Sequence, residues 1–92
     1  GCDKVIFFED TDAVGMRNLM NLALEKKGKM CAVFSGKDGE YKYVIGSKEK
    51  DVRQIANNLN EMFQGRGGGK PDMVQGSLKG TKEQIEKMWD KL

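Results

Sequence analysis

Met30-Cys31-Ala32-Val33-Phe34-Ser35-Gly36-Lys37-Asp38-Gly39-Glu40-Tyr41-Lys42-Tyr43-Val44-Ile45 sets two short apolar runs on either side of a glycine-bearing polar stretch. Met30 to Phe34 has the length and the branched or aromatic content of a buried strand. Ser35 to Gly39 reads as a turn, and Tyr41 to Ile45 returns as a second strand, so the stretch predicts a β-hairpin. Lys42 between Tyr41 and Tyr43 predicts that one face of the returning strand is wet. A chain of 92 residues buries only a modest core. The hairpin must therefore be covered by the amphipathic segments around it.

Upstream, Val5-Ile6-Phe7-Phe8 reads as another buried strand. Asp10-Thr11-Asp12 offers N-cap candidates. Val14, Met16, Leu19, Met20, Leu22, Ala23 and Leu24 then make a broad apolar helical face. Gly28, after Glu25-Lys26-Lys27, is a helix stop with cations well placed for the dipole. Downstream, Val52, Ile55, Ala56, Leu59, Met62 and Phe63 fall on one helical stripe. A glycine-rich segment from Gly65 to Asp72 interrupts it, and Met73 to Leu78 reads as a last strand. Thr81-Lys82-Glu83-Gln84 has capping-box form, and Ile85, Met88, Trp89 and Leu92 carry a closing helix. The predicted order is β-α-β-β-α-β-α: an α/β (α+β) chain, residues 1–92 forming a single small domain with one mixed β-sheet packed by helices. If the first two strands pair in parallel, their crossover is expected to be right-handed. The six methionines read as adaptable core filler.

Hydrophobic residues at 38% and charged residues at 33% fit a globular domain. No apolar run reaches the roughly 18 residues of a bilayer span, and no signal peptide is visible. The start at Gly1-Cys2 reads as that of an excised fragment. A net charge of +2 does not announce a nucleic-acid binder, so the clustering of charge matters more than its total. Cys31 lies in the apolar run and is expected to be a buried free thiol, while Cys2 sits at an end expected to fray. Sequence leaves a disulfide open, but two unpatterned thiols point to a reducing, cytosolic setting. With no histidine, the chain cannot form a Cys–His or Ser–His catalytic pair, and a zinc site is disfavoured.

Gly65 to Gly76 places five glycines in twelve residues, a heavy entropic cost on ordering. Two uses fit. Glycine lets a backbone approach a ligand or another strand closely, and it lets successive N–H groups converge on an anion. Arg66 and Lys70 bracket the glycines and add cations for phosphate. A flexible hinge or a tight helix-to-strand corner is the alternative. The phosphate-loop pattern GxxxxGK(S/T) is absent, because Pro71 follows Lys70, and a GxGxxG fingerprint fails because Lys70 stands at its third glycine.

Gly65-Arg-Gly-Gly-Gly-Lys-Pro-Asp-Met-Val-Gln75 strongly resembles the GGRGGG(R/K)PDMAQ signature near the end of alanyl-tRNA synthetases. Val33-Phe34-Ser35 before the hairpin and Asp51-Val52-Arg53 opening a helix are also similar to that family, so the resemblance spans nearly the whole chain. Gln64 departs from the signature's first glycine, Val74 from its alanine, and Gly76-Ser77 from its ending. The resemblance implies a small DHH-associated α/β domain without a catalytic residue or cofactor of its own, lacking the helical segment linked to dimer formation. The parent chain it implies is a cytoplasmic alanine–tRNA ligase using ATP, Mg and zinc. There the terminal domain contacts the elbow of alanine tRNA and helps one tRNA engage the catalytic and editing domains, with a homodimer possible and no membrane partner. Carried onto this sequence, the expected nucleic-acid-binding residues are Arg66, Gly67, Gly68, Gly69, Lys70 and Gln75, while Lys79 and Lys82 read as solvated charges. Three rivals stay open. The same domain group accompanies DHH phosphoesterases, but Lys70 replaces the histidine of their GGGH segment. AlaX-type editing deacylases carry a similar terminal domain. A pure oligomerisation module would pair through an exposed strand edge.

Overall fold

The computed structural model describes residues 4–26, 30–48 and 51–91. Strands β1 (Lys4–Phe8), β2 (Met30–Lys37), β3 (Glu40–Ser47), β4 (Arg66–Lys70) and β5 (Met73–Leu78) form one sheet in the order β1-β2-β3-β5-β4. Helices α1 (Ala13–Lys26), α2 (Arg53–Met62) and α3 (Lys82–Asp90) pack on it. β1 runs parallel to β2, and every other pair is antiparallel. The expected α+β order therefore stands with one strand added, since the glycine segment is itself β4.

The hairpin is tighter than its sequence suggested. Pairing continues to Lys37↔Glu40 and leaves a two-residue Asp38-Gly39 turn. Gly39 takes a φ of 92° while Asp38 does not enter positive φ, the pattern of a type II turn, which asks for glycine at its third residue. Asp38 also ties this turn to α3: its Oδ1 accepts the Lys82 N–H at 2.9 Å and the Tyr41 hydroxyl at 3.2 Å. At the start of α3, Thr81 and Gln84 form the expected capping box. At α1, Asp12 is the cap that acts, accepting the Gly15 N–H at 2.8 Å.

β2 is buried from Met30 to Ser35 because both its faces are covered. On one face, Met16 and Met20 of α1 cover Cys31, Val33 and Val44. On the other, Val52, Ala56, Leu59, Ile85 and Trp89 cover Phe34, Tyr43, Ile45 and Val74. The apolar stripes of α2 and α3 fall as predicted, with one exception: Met62 is 60% exposed. On α1, Val14 and Leu22 likewise point outward, at 55% and 51% exposure. Four of the methionines, Met16, Met20, Met30 and Met88, are core residues. The predicted stop at Gly28, the end at Leu92 and Cys2 lie outside the described residues.

Candidate nucleic-acid interface

The path into the glycine segment begins at the end of α2. Phe63 caps the helix, and Gln64 follows at φ 52°, the only non-glycine among the described residues in left-handed backbone. The Gly65 N–H then donates to the Asn60 carbonyl at 2.8 Å, the six-to-one bond of a Schellman ending. Left-handed backbone at this position of a helix ending favours glycine, so Gln64 sits there at a cost. From Arg66 the chain is extended and pairs with β5 in the register Arg66↔Ser77, Gly67↔Gly76, Gly68↔Gln75, Gly69↔Val74 and Lys70↔Met73. The far turn is pinned by backbone bonds from Val52 N–H to the Pro71 carbonyl, 2.9 Å, and from Ser47 N–H to the Asp72 carbonyl, 3.0 Å. Successive N–H groups of an extended strand point to opposite sides. The segment is thus neither a converging anion nest nor a hinge. Gly67, Gly69 and Gly76 serve close approach between the strands.

Side chains alternate across the sheet, and directly paired residues share a face. The registers therefore build rows that cross the strands. One row is Ser35, Lys42, Ser77 and Arg66; the next is Val33, Val44, Gln75 and Gly68; the third is Cys31, Gly46, Met73 and Lys70. All three lie on the α1 face. α1 packs on β2 and β3, so the β5–β4 ends of the rows are open, and Lys42, Arg66, Gly68, Lys70, Gln75 and Ser77 are all exposed. Of the residues expected to bind, the fold brings Arg66, Gly68, Lys70 and Gln75 onto one surface. Gly67 and Gly69 are solvent-exposed as well, but their missing side chains would point to the opposite face. Lys79 stands at the end of β5, and Lys82 lies apart from this surface, its Nζ 5.0 Å from the centroid of the Phe8 ring.

The glycines divide into two kinds. Gly67 and Gly76 face each other across the strand pair, with the buried Tyr43 laid beneath them. A Cβ at Gly76 would collide with the Arg66 carbonyl and come within 2.7 Å of Gly67 Cα and 2.8 Å of the Tyr43 Oη. A Cβ at Gly67 would meet Gly76 Cα at 2.5 Å and the same Tyr43 Oη at 2.8 Å. The phenol is held there by donating to Asn60 Oδ1 at 2.8 Å, while Asn60 Nδ2 donates to the Gly67 carbonyl at 3.4 Å. Burial raises the Tyr43 pKa above its ordinary value, and the Asn60 bond opposes that shift. Gly69 is also close-packed, against the backbone of Met73 and Val74. Gly68 differs: a Cβ there would have nothing within 4 Å. No contact within the domain accounts for its lack of a side chain.

Beside this open patch a hollow of about 310 Å³ runs along α1, lined by Ala13, Met16, Lys42, Val44, Gln75 and Gly76. Lys42 and Ser77 are members of the surface that the glycine motif did not reveal. The one sequence signal was Lys42's polar position between two buried tyrosines. Cys31, by contrast, is sealed beneath α1; burial pushes its thiol up to about 12, which leaves it a protonated core residue.

Comparison with known proteins places the chain. The DHHA1 domain family matches residues 3–92. Among curated relatives, the alanine–tRNA ligase of Lactococcus lactis is 38% identical over 66 residues, 68% of this chain and 8% of its own length. That of Mycoplasma mobile is 26% identical over 91 residues, 97% of this chain and 10% of its own. That of Acholeplasma laidlawii is 28% identical over 72 residues, 77% of this chain and 8% of its own. The chain thus spans about a tenth of the length of the curated relatives it matches. The C-Ala domain from Aquifex aeolicus alanyl-tRNA synthetase shares the fold, with a TM-score of 0.74 at 22% identity over 98% of this chain and 87% of that one. With the family match running over nearly every residue, and the resemblance to the terminal domain of alanyl-tRNA synthetases borne out, the chain belongs to the DHHA1 domain family.

Proposed function

We propose that this domain is a tRNA-binding platform of an alanyl-tRNA synthetase, and that it contacts the elbow of alanine tRNA through the open half of the α1 face. One observation carries the reading. Gly68 has empty space where its side chain would lie, on a surface flanked by Arg66, Lys70 and Gln75. An unused glycine costs backbone entropy on folding. Its retention between two cations makes sense when another molecule's flat surface comes to rest there. RNA is recognised largely through shape, phosphate and 2′-hydroxyl contacts, with stacking on exposed bases. Arg66 and Lys70 supply phosphate partners, Gln75 supplies an amide for a sugar or base edge, and the Gly67–Gly69 backbone supplies the flat approach.

The domain then serves the parent chain by holding one tRNA for both its aminoacylation and its editing modules. In that reading ATP, Mg and zinc act in the parent's other domains, the complex works in the cytoplasm, and a homodimer is compatible with it. Titration of the isolated domain with an alanine tRNA transcript, against a version with a disrupted elbow, tests the proposal. Binding lost with the elbow, and weakened in the Arg66→Ala/Lys70→Ala double variant, supports it. Equal affinity for both transcripts, or a double variant that binds like the parent, contradicts it.

A further inference from the structure

We infer that the groove at the end of the sheet where β3 and β4 begin is a track for a phosphodiester backbone, with Lys42 of β3 as one of its cations. The inference rests on the RNA reading of this face and adds a binding residue to it. Lys42, Ser77 and Arg66 occupy one row across three adjacent strands. Neighbouring strands lie about 4.8 Å apart, so the row sets its two cations on backbones about 10 Å apart, with a small hydroxyl between them. The same three residues line an open groove of about 660 Å³ together with Lys79, Gln64 and Glu40. The groove thus carries three cations and a single acid along its lining. Among the described residues, none of the three forms an ion pair or a side-chain hydrogen bond, so all are uncommitted. The next row, Gln75 and Gly68, lies two residues along the strands, about 7 Å away. It is flat and has one amide. A strand whose phosphates follow the cationic row can turn its sugars and bases onto this second row.

The arrangement separates Lys42 from a solvated surface charge. Proximity in sequence would assign phosphate contacts to Arg66 and Lys70 alone, because they bracket the glycines. The insertion of β5 between β3 and β4 brings Lys42 as close to Arg66 as the sheet allows with one strand between.

The test uses the full 92-residue chain and an unmodified alanine tRNA transcript, with affinity measured by fluorescence anisotropy over a salt series and folding checked by circular dichroism. Lys42→Gln and Arg66→Gln are each expected to reduce the slope of log K against log salt by roughly 0.7 to 0.9, the share of one phosphate contact. The double variant is expected to lose about twice that. Lys87→Gln, on the outer side of α3, is expected to keep the parent slope. A Lys42→Gln domain with the parent slope and affinity, beside a flattened Arg66→Gln, overturns the track while leaving the RNA surface in place. If Arg66→Gln is unchanged too, or the parent domain does not bind the transcript, both the track and the RNA reading fall.

Discussion

Gly67 and Gly68 are adjacent on one strand, yet they answer to different constraints. On the side of Gly67 the sheet rests on Tyr43 and α2, and any added carbon strikes backbone or the phenol. On the side of Gly68 there is no neighbour within 4 Å. The contrast shows how a run of identical residues can carry two separate demands. One is internal: a glycine pair lets Tyr43 lie against the strands and, through Asn60, hold β4 in place. The other has no internal explanation and points outward. Substitutions on the first side should cost stability, and those on the second should leave stability intact.

The largest effect is expected at the packed side. Gly76→Ala forces its Cβ into the Arg66 carbonyl and should destabilise the domain by about 2 to 3 kcal/mol, the upper part of the range for overpacking a tight contact. Urea unfolding with an unchanged m-value reads this directly; a loss below half a kcal/mol would erase the distinction between the two sides. Next comes Tyr43→Phe, which removes the bond to Asn60 and should cost about 1 kcal/mol. This variant also changes the pH profile. The folded pKa of Tyr43 is raised above its unfolded value of 10.0. The native state therefore holds a proton that the unfolded chain releases, and the stability this gives is complete below pH 10 and declines as pH rises beyond it. Cys31, raised from 9.0 to about 12, and Tyr41, also raised, act in the same direction. Alkaline stability curves of Tyr43→Phe should thus be shallower above pH 10 than the parent's, though not flat.

A smaller gain is expected just before the strand. Gln64 holds the left-handed position that ends α2. Gln64→Gly should raise stability by roughly 0.5 to 1 kcal/mol, since a side chain in that backbone region costs energy. A thermal melt showing destabilisation would mean that the Gln64 side chain contributes something the backbone does not reveal. The smallest change belongs to the open side: Gly68→Ala should stabilise by about 0.5 kcal/mol, through the unfolded chain's lost freedom alone.

How far the sequence reached follows from where side chains carry the signal. The strands with branched or aromatic runs, Val5–Phe8, Met30–Phe34 and Tyr41–Ile45, were legible, as were the short strand Met73–Leu78, the α2 and α3 stripes and the capping box at Thr81. β4 was not, because three consecutive glycines have no side chains to alternate, and the period-two pattern that marks a strand disappears. The outward turns of Val14, Leu22 and Met62 were hidden for a related reason: apolar residues at the edge of a broad stripe do not say where the covering layer stops. At the candidate site, Arg66, Lys70 and Gln75 were legible from the motif they share. Lys42 and Ser77 were not grouped with them, because the strand order, with β5 between β3 and β4, brings together residues far apart in the chain. That only one of the three central glycines lacks an internal reason depends on which strand and side chain lie against each, which the chain order does not display.

Binding of the alanine tRNA transcript to Gly68→Val, measured beside its melting temperature, probes the outward demand most directly. A branched side chain suits an extended strand, and its Cβ has nothing within 4 Å here, so the melting temperature should hold or rise. If another molecule does rest on Gly68, affinity should still fall by about tenfold, equivalent to roughly 1.4 kcal/mol. A Gly68→Val domain that is equally stable and binds the transcript as tightly as the parent would contradict the account.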